Sequence, residues 1–165
     1  MLTSQEFFET IVVPNNEAQH ADTSSVRFAF NAIAAIDDYV GIWAHELRSA
    51  GRISITEECF RDDLARRSGP YRALRDMAFA LKHGELSGKK ARLVSRAGSL
   101  ADQGAAFDPD TFSDAFATSG VICIEMDAGG AVEVWKMIEF AMEAITDLQN
   151  EVALVTPAGD AGADR

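Results

Sequence analysis

Cysteine is scarce in this chain: Cys59 and Cys123 are the only two in 165 residues, and neither belongs to a C-x-x-C pair or a His/Cys cluster. This argues against a disulfide framework and against a structural zinc site, and leaves two reduced, buried thiols as the expectation. Long apolar runs are missing too: none approaches the roughly 18 residues that a spanning helix needs. The start "MLTSQEFFETIVVP" lacks the basic stretch and apolar core of a secretory signal. A soluble, cytoplasmic protein with no membrane partner is expected. Positive charge is in deficit, with a net charge of −11, which argues against a general nucleic-acid coat, since phosphate binding is driven by Lys and Arg. There is no G-x-S-x-G elbow, no P-loop and no strand-linked G-x-G-x-x-G. No cofactor is therefore expected.

What is present is enough apolar sequence, 47% of residues, for one folded domain over residues 1–155. A small-residue acidic tail, 156–165, is expected to be disordered. "TSQEFFETIVVP" reads as a short helix stopped by Pro14, followed by a loop. From about Asp22 to Ala50 the residues Ala29, Ile33, Ile36, Val40, Trp43 and Leu47 recur at steps of three and four, the period of one buried helix face. Gly51 ends that helix. A Ser54/Glu57 capping box opens a helix from about Glu57 to Arg67, and another runs from about Pro70 to His83 with Gly84 as its C-cap. The period then changes: "ARLVSR" alternates as a strand, a glycine-containing connection follows over 97–120, and "DAGG" sits between two β-rich runs as a hairpin turn. A last helix is expected from about Lys136 to Leu154. The fold class is mainly α with a small β element: an antiparallel helical bundle carrying a β-hairpin or three-stranded antiparallel sheet inserted near 91–135.

Charge is unevenly spread. Residues 47–96 carry +6 and the remainder −17. Such asymmetry marks either an anion site or an acidic helix lying on a basic one. The basic part is densest around "RDMAFALKHGEL", Arg75 to Leu86. Arg72 and Asp76 are four apart and can pair. Asp76 and His83 share a face but lie about 10 Å apart along the axis, too far for a direct dyad. Lys82 and His83, in the last turn, complement the negative end of the helix dipole. His83 is thus either a helix-end residue or part of a site; the candidates are Arg75 and His83 for catalysis and Arg72, Asp76 and Lys82 for binding.

With its long Asp-, Tyr- and Trp-containing helix before it and a strand after it, the segment resembles bacterial proteins with an "RD-x-A-x-A-x-KH-x-x-L" pattern, associated with HEPN-like helical bundles. The resemblance spans roughly Val26 to Leu86, with a weaker echo in the last hairpin and helix. It implies a helical bundle that pairs with a second copy. In HEPN ribonucleases an arginine precedes a histidine by four to six intervening residues and the two copies together cleave RNA. Here Arg75 and His83 have seven residues between them. The reading is therefore a non-catalytic binding or regulatory module that forms a homodimer. The alternative is an RNA-cleaving or nucleotide-binding enzyme in which His83 moves a proton and Arg75 stabilises charge on phosphate.

Metal ligation finds little support. Glu17-x-x-His20 occurs once, where carboxylate-bridged bundles need two such motifs and further glutamates. Asp38 and His45 are seven apart, too distant to share an ion. Asp37 borders the apolar stripe and reads as a buried partner of an arginine, and His45, beside Trp43, as a helix-surface or packing residue. The stripes at 29–47 and 138–152 exceed what a monomer of this pattern must use, and a surplus stripe makes a dimer seam.

Overall fold

The computed structural model describes residues 2–86, 92–103 and 120–155. The first helix, α1, covers residues 4–21 in three consecutive pieces: Ser4–Phe7, a π-helical turn Phe8–Val12, and Val13–Ala21. Thr3 caps it in a full capping box with Glu6. Pro14 does not stop the helix, contrary to the sequence expectation. It sits in the first turn after the π segment, where the loosened hydrogen-bond ladder makes room for a residue without an N–H. Helix α2 is Val26–Ser49, capped by Ser25, whose side chain accepts from the Phe28 N–H. Its whole apolar stripe, Ala29 to Leu47, is buried in the chain's own core. Helix α3 is Glu57–Arg67, capped by Thr56 and not by Ser54. Helix α4, Gly69–His83, begins at the Ser68 cap and ends at Gly84, whose φ of +81° suits glycine.

The strands lie close to the hairpin reading, with one correction. "ARLVSR" is not a strand among its described residues, although Arg96 forms an isolated bridge to Glu85. The first strand, β1, is Leu100–Gln103. It pairs antiparallel with β2, Val121–Glu125, which pairs antiparallel with β3, Ala131–Glu133. The β2–β3 turn puts Gly129 and Gly130 at φ +95° and +86°, and the Met126 N–H closes it on the Gly130 carbonyl at 2.9 Å. The hairpin feeds directly into helix α5, Val134–Val155. The Ile122 N–H also bonds to the Thr23 carbonyl at 2.9 Å, fastening the sheet to the α1–α2 loop. Most of the 97–120 connection and the whole 156–165 tail lie outside the described residues.

The core is one cluster joining α2, α3, α4, α5 and the inner face of β2. Ile138, Ala141, Ile145 and Leu148 of α5 are all buried in it. Both stripes singled out as surplus are therefore largely consumed within one chain. The large apolar side chains left exposed are others, among them Val26, Phe30 and Phe140. The thiols also divide: Cys123 is buried, whereas Cys59, in the first turn of α3, is exposed. Among the described residues no helix is long and apolar enough to cross a membrane.

Candidate functional site

Helix α4 shows one face to the core and turns its charged side chains toward α3 and the segment beginning at Arg92. Arg75 is only 6% exposed. Its guanidinium donates to Asp62 Oδ1 of α3 at 2.5 Å, and its Nε has no hydrogen-bond partner among the described residues. Asp76, 3% exposed, does not pair with Arg72 as the four-residue spacing suggests. It accepts instead from the Arg92 guanidinium at 2.7 Å and from the Leu93 N–H at 2.8 Å. The reason is geometric: a buried carboxylate needs more than one donor, and the returning chain supplies two from a direction that a helix neighbour cannot reach. Asp76 thereby pins the segment after residue 91 to the bundle.

Arg66, Arg72, Arg75 and Arg92, with Asp62 and Asp76, line a cleft of about 290 Å³. Four guanidinium groups against two lining carboxylates give the lining a formal positive balance, reduced by Asp63, which pairs with Arg66 at 3.0 Å. His83 is not part of it. It stands exposed at the end of α4, its ring stacked on Phe79 with centroids 6.3 Å apart and planes 16° apart. The guanidinium carbons of Arg75 and Arg92 lie 5.7 and 5.6 Å from the centroid of the same Phe79 ring. Phe79 thus separates Arg75 from His83 along the helix. Lys82 reaches back to α2, 3.3 Å from Asp38 Oδ1 and 3.8 Å from Asp37 Oδ2.

Behind the cleft lies a buried polar cluster that joins α2, α3 and α4. Asp37 is 2% exposed and pairs with Arg61 at 3.7 Å, while the same guanidinium donates to the Asp37 carbonyl at 3.0 Å. This is the arginine partner anticipated for Asp37. Gly41, one turn on, makes the approach feasible: a Cβ there would fall 2.0 Å from the Arg61 guanidinium. Burial raises the Asp37 carboxyl above its ordinary value, a bias that Arg61 and Lys82 oppose without reversing. Tyr71 is wholly buried beside these charges, and burial pushes its hydroxyl far above the usual phenol range. On the outer side of α2, His45 is exposed and within 3.0 Å of Glu57, as a helix-surface residue should be.

A larger cavity, about 480 Å³, opens between α1 and α5, lined by Asn16, Glu17, Gln19, His20 and, from α5, Trp135, Ile138, Glu139 and Met142. Glu17 and His20, the isolated E-x-x-H spacing, thus stand together at its wall.

Chemically, the α4 cleft can hold an anion. Among the described residues its lining carries carboxylates and guanidinium groups, and no histidine. Asp62, Arg92 and Arg61 escape a sequence reading because each acts across a loop, leaving no local spacing to read, whereas Phe79, four residues from both Arg75 and His83, lies within the helix and reads only as one more apolar residue. Gly41, next to Val40 of the α2 stripe, is the small residue that leaves room for Arg61. No protein-family model, no curated protein and no solved structure matches the chain.

Proposed function

We propose that the chain is a cytoplasmic, non-catalytic binding module of the HEPN-like kind, one that pairs with a second copy and acts by holding a partner and not by cleaving RNA. The observation that carries the reading is the separation of Arg75 from His83. They are eight residues apart on one straight helix, about 12 Å along its axis. Phe79 lies between them and Arg75 is engaged by Asp62. Acid–base cleavage needs both groups within hydrogen-bond reach of one reacting atom. Self-association draws support from Val26 and Phe30, one turn apart on α2 and 49% and 42% exposed, and from Phe140 of α5, 54% exposed.

The test has two arms. Sedimentation of the wild type and of Phe30→Glu and Phe140→Glu should give a two-fold dimer that at least one substitution dissociates; a wild type that stays monomeric at tens of micromolar removes the pairing. RNA cleavage assays on the wild type, Arg75→Lys and His83→Ala should show no activity in any. Wild-type cleavage lost in both variants, with circular dichroism unchanged, would replace this reading with the enzyme, completed across the dimer. A second reading, capture of a nucleotide phosphate without cleavage, is favoured by the four arginines that share the α4 cleft. It calls for adenosine monophosphate binding that weakens as salt rises.

A further inference from the structure

The last helix carries its acidic residues in a row. Glu139, Glu143, Asp147 and Glu151 follow one another at steps of four along α5, and no lysine or arginine occurs in the helix after Lys136. Like charges at that spacing repel, so each calls for a cation from elsewhere. The far end of the row has one: Arg67 of α3 reaches Glu151 Oε2 at 2.7 Å. Lys136, at the near end, is engaged by Glu133 at 2.9 Å. Among the described residues Glu139, Glu143 and Asp147 are exposed and form no ion pair. Beside this row the surface is hollow and apolar. The cavity of about 480 Å³ between α1 and α5 has Trp135, Ile138 and Met142 in its lining, with Trp135 and Met142 only half-buried. A second hollow lies along Thr146 and the three carboxylates and shares Met142 and Glu139 with the first. Together they make a furrow from Trp135 to Asp147, about 18 Å by the helical rise, with an apolar floor and with Glu17 on its α1 side.

We propose that this furrow docks a basic amphipathic helix of another protein, whose apolar stripe covers Trp135 and Met142 and whose lysines or arginines, four apart, meet Glu139, Glu143 and Asp147. A helix laid along another repeats its side chains every four residues at about 6 Å, so a row of cations and this row of carboxylates match one for one. Arg67 on Glu151 is a pair of the same kind made within the chain. The floor supplies the affinity, because water over Trp135 and Met142 is released on docking, and methionine adapts to varied side chains. The carboxylates supply orientation and speed of encounter. A second copy does not fit. A two-fold contact sets this face on itself, acid on acid, and no described helix of the chain carries two lysines or arginines four apart. Nucleic acid and anionic lipid are repelled by the same row. Pairing of two copies through Val26, Phe30 or Phe140, and cleavage through Arg75 and His83, use none of these residues, so the docking stands or falls separately from the proposed function.

The test titrates the isotope-labelled full chain with a synthetic leucine–lysine peptide of about 18 residues, enough to span the furrow as a helix, its lysines in one row beside a leucine stripe. One control peptide has the same composition in scrambled order, and another has glutamate in place of lysine. The amphipathic peptide should shift the Trp135 indole and Met142 methyl resonances together and saturate at tens of micromolar, an order of magnitude for a short helix in a groove. The scrambled peptide should bind roughly tenfold more weakly or worse, and the glutamate peptide not at all. Met142→Glu should abolish docking. Because that substitution disturbs the half-buried floor, a companion variant changes only exposed positions: Glu139→Lys, Glu143→Lys and Asp147→Lys together. It should lose the lysine peptide and gain the glutamate one, with circular dichroism unchanged. The proposal is overturned if the scrambled peptide binds equally, if the shifts fall away from Trp135 and Met142, or if the reversed variant keeps the lysine peptide. Failure of the amphipathic peptide to saturate below about 1 mM overturns it as well.

Discussion

Around α4 the buried charges answer one another, whereas between α1 and α5 the buried amides do not. Arg75 meets Asp62, Asp76 meets Arg92 and the Leu93 N–H, and Asp37 meets Arg61, so that each buried charge has a counter-charge even though Asp37 Oδ1, Arg61 Nε, Arg75 Nε and the Tyr71 hydroxyl have no hydrogen-bond partner among the described residues. Gln19 has nothing of the kind among the described residues. A buried ion stripped of its counter-charge costs about 3–5 kcal/mol, so the α4 charges are paired in the free chain. A buried neutral amide is costly but survivable. The first region reads as architecture that also presents an anion cleft; the second holds a sealed neutral amide without partners among the described residues.

Breaking the compensated side should have the largest effect. Arg61→Met removes the main partner of Asp37 while keeping apolar volume, and should cost about 3 kcal/mol in chemical denaturation, the low end for breaking a buried pair because Arg61 is partly exposed. A cost near zero would show that Lys82 alone suffices for Asp37. Asp76→Ala comes next, at about 2 kcal/mol for two lost bonds, one of them charge-assisted. Hydrogen exchange at Leu93 should accelerate in that variant, and an unchanged Leu93 amide would contradict the pinning role. On the uncompensated side the sign reverses. Gln19→Leu should stabilise the free protein by about 1 kcal/mol, since it removes a dry amide; destabilisation of that size would mean that the amide is already satisfied.

The pH dependence sharpens the contrast further. Burial raises the folded-state pKa of Asp37 above its unfolded value. The folded chain therefore binds that proton more tightly than the unfolded one, and the associated stability is full below the ordinary aspartate pKa and lost as pH rises through the raised one. Asp37→Asn abolishes this slope, so urea midpoints should show the variant gaining on the wild type as pH climbs through that window. A gain in the other direction would mean that the pairing with Arg61 outweighs burial. The smallest effect belongs to His83→Ala, within about 0.5 kcal/mol for an exposed helix-end residue, and a larger thermal shift would assign the ring on Phe79 a structural role.

The parts of this fold legible in the sequence are those specified locally. The α2 stripe, the Gly84 cap and the "DAGG" turn each depend on residues within a few positions, and the helices and hairpin follow from them. β1 was missed because its partner lies some twenty residues further on, beyond a connection with no periodic signal. The site was only half legible for the same reason. Asp37 could be matched to an arginine by type, but the local pair Arg72–Asp76 gave way to Arg92, whose position only the folded chain determines. Gln19 carried no signal at all, because a glutamine at the end of a polar run reads as a loop residue until Pro14 is found inside a helix.

The π turn at Phe8–Val12 sets the phase of everything after it. At about 100° per residue an unbroken α-helix would place Val12 about 80° round from Ser4. Absorbing one residue in a wider turn brings the two back to within about 20° of one line, and Gln19 falls on nearly the same line, so that all three are buried. The first helix therefore responds to length in two opposite ways. Deleting one residue inside the π turn restores an ordinary helix and leaves Gln19 facing inward, whereas deleting one between Pro14 and Ala18 swings the amide about a quarter turn away from the buried face.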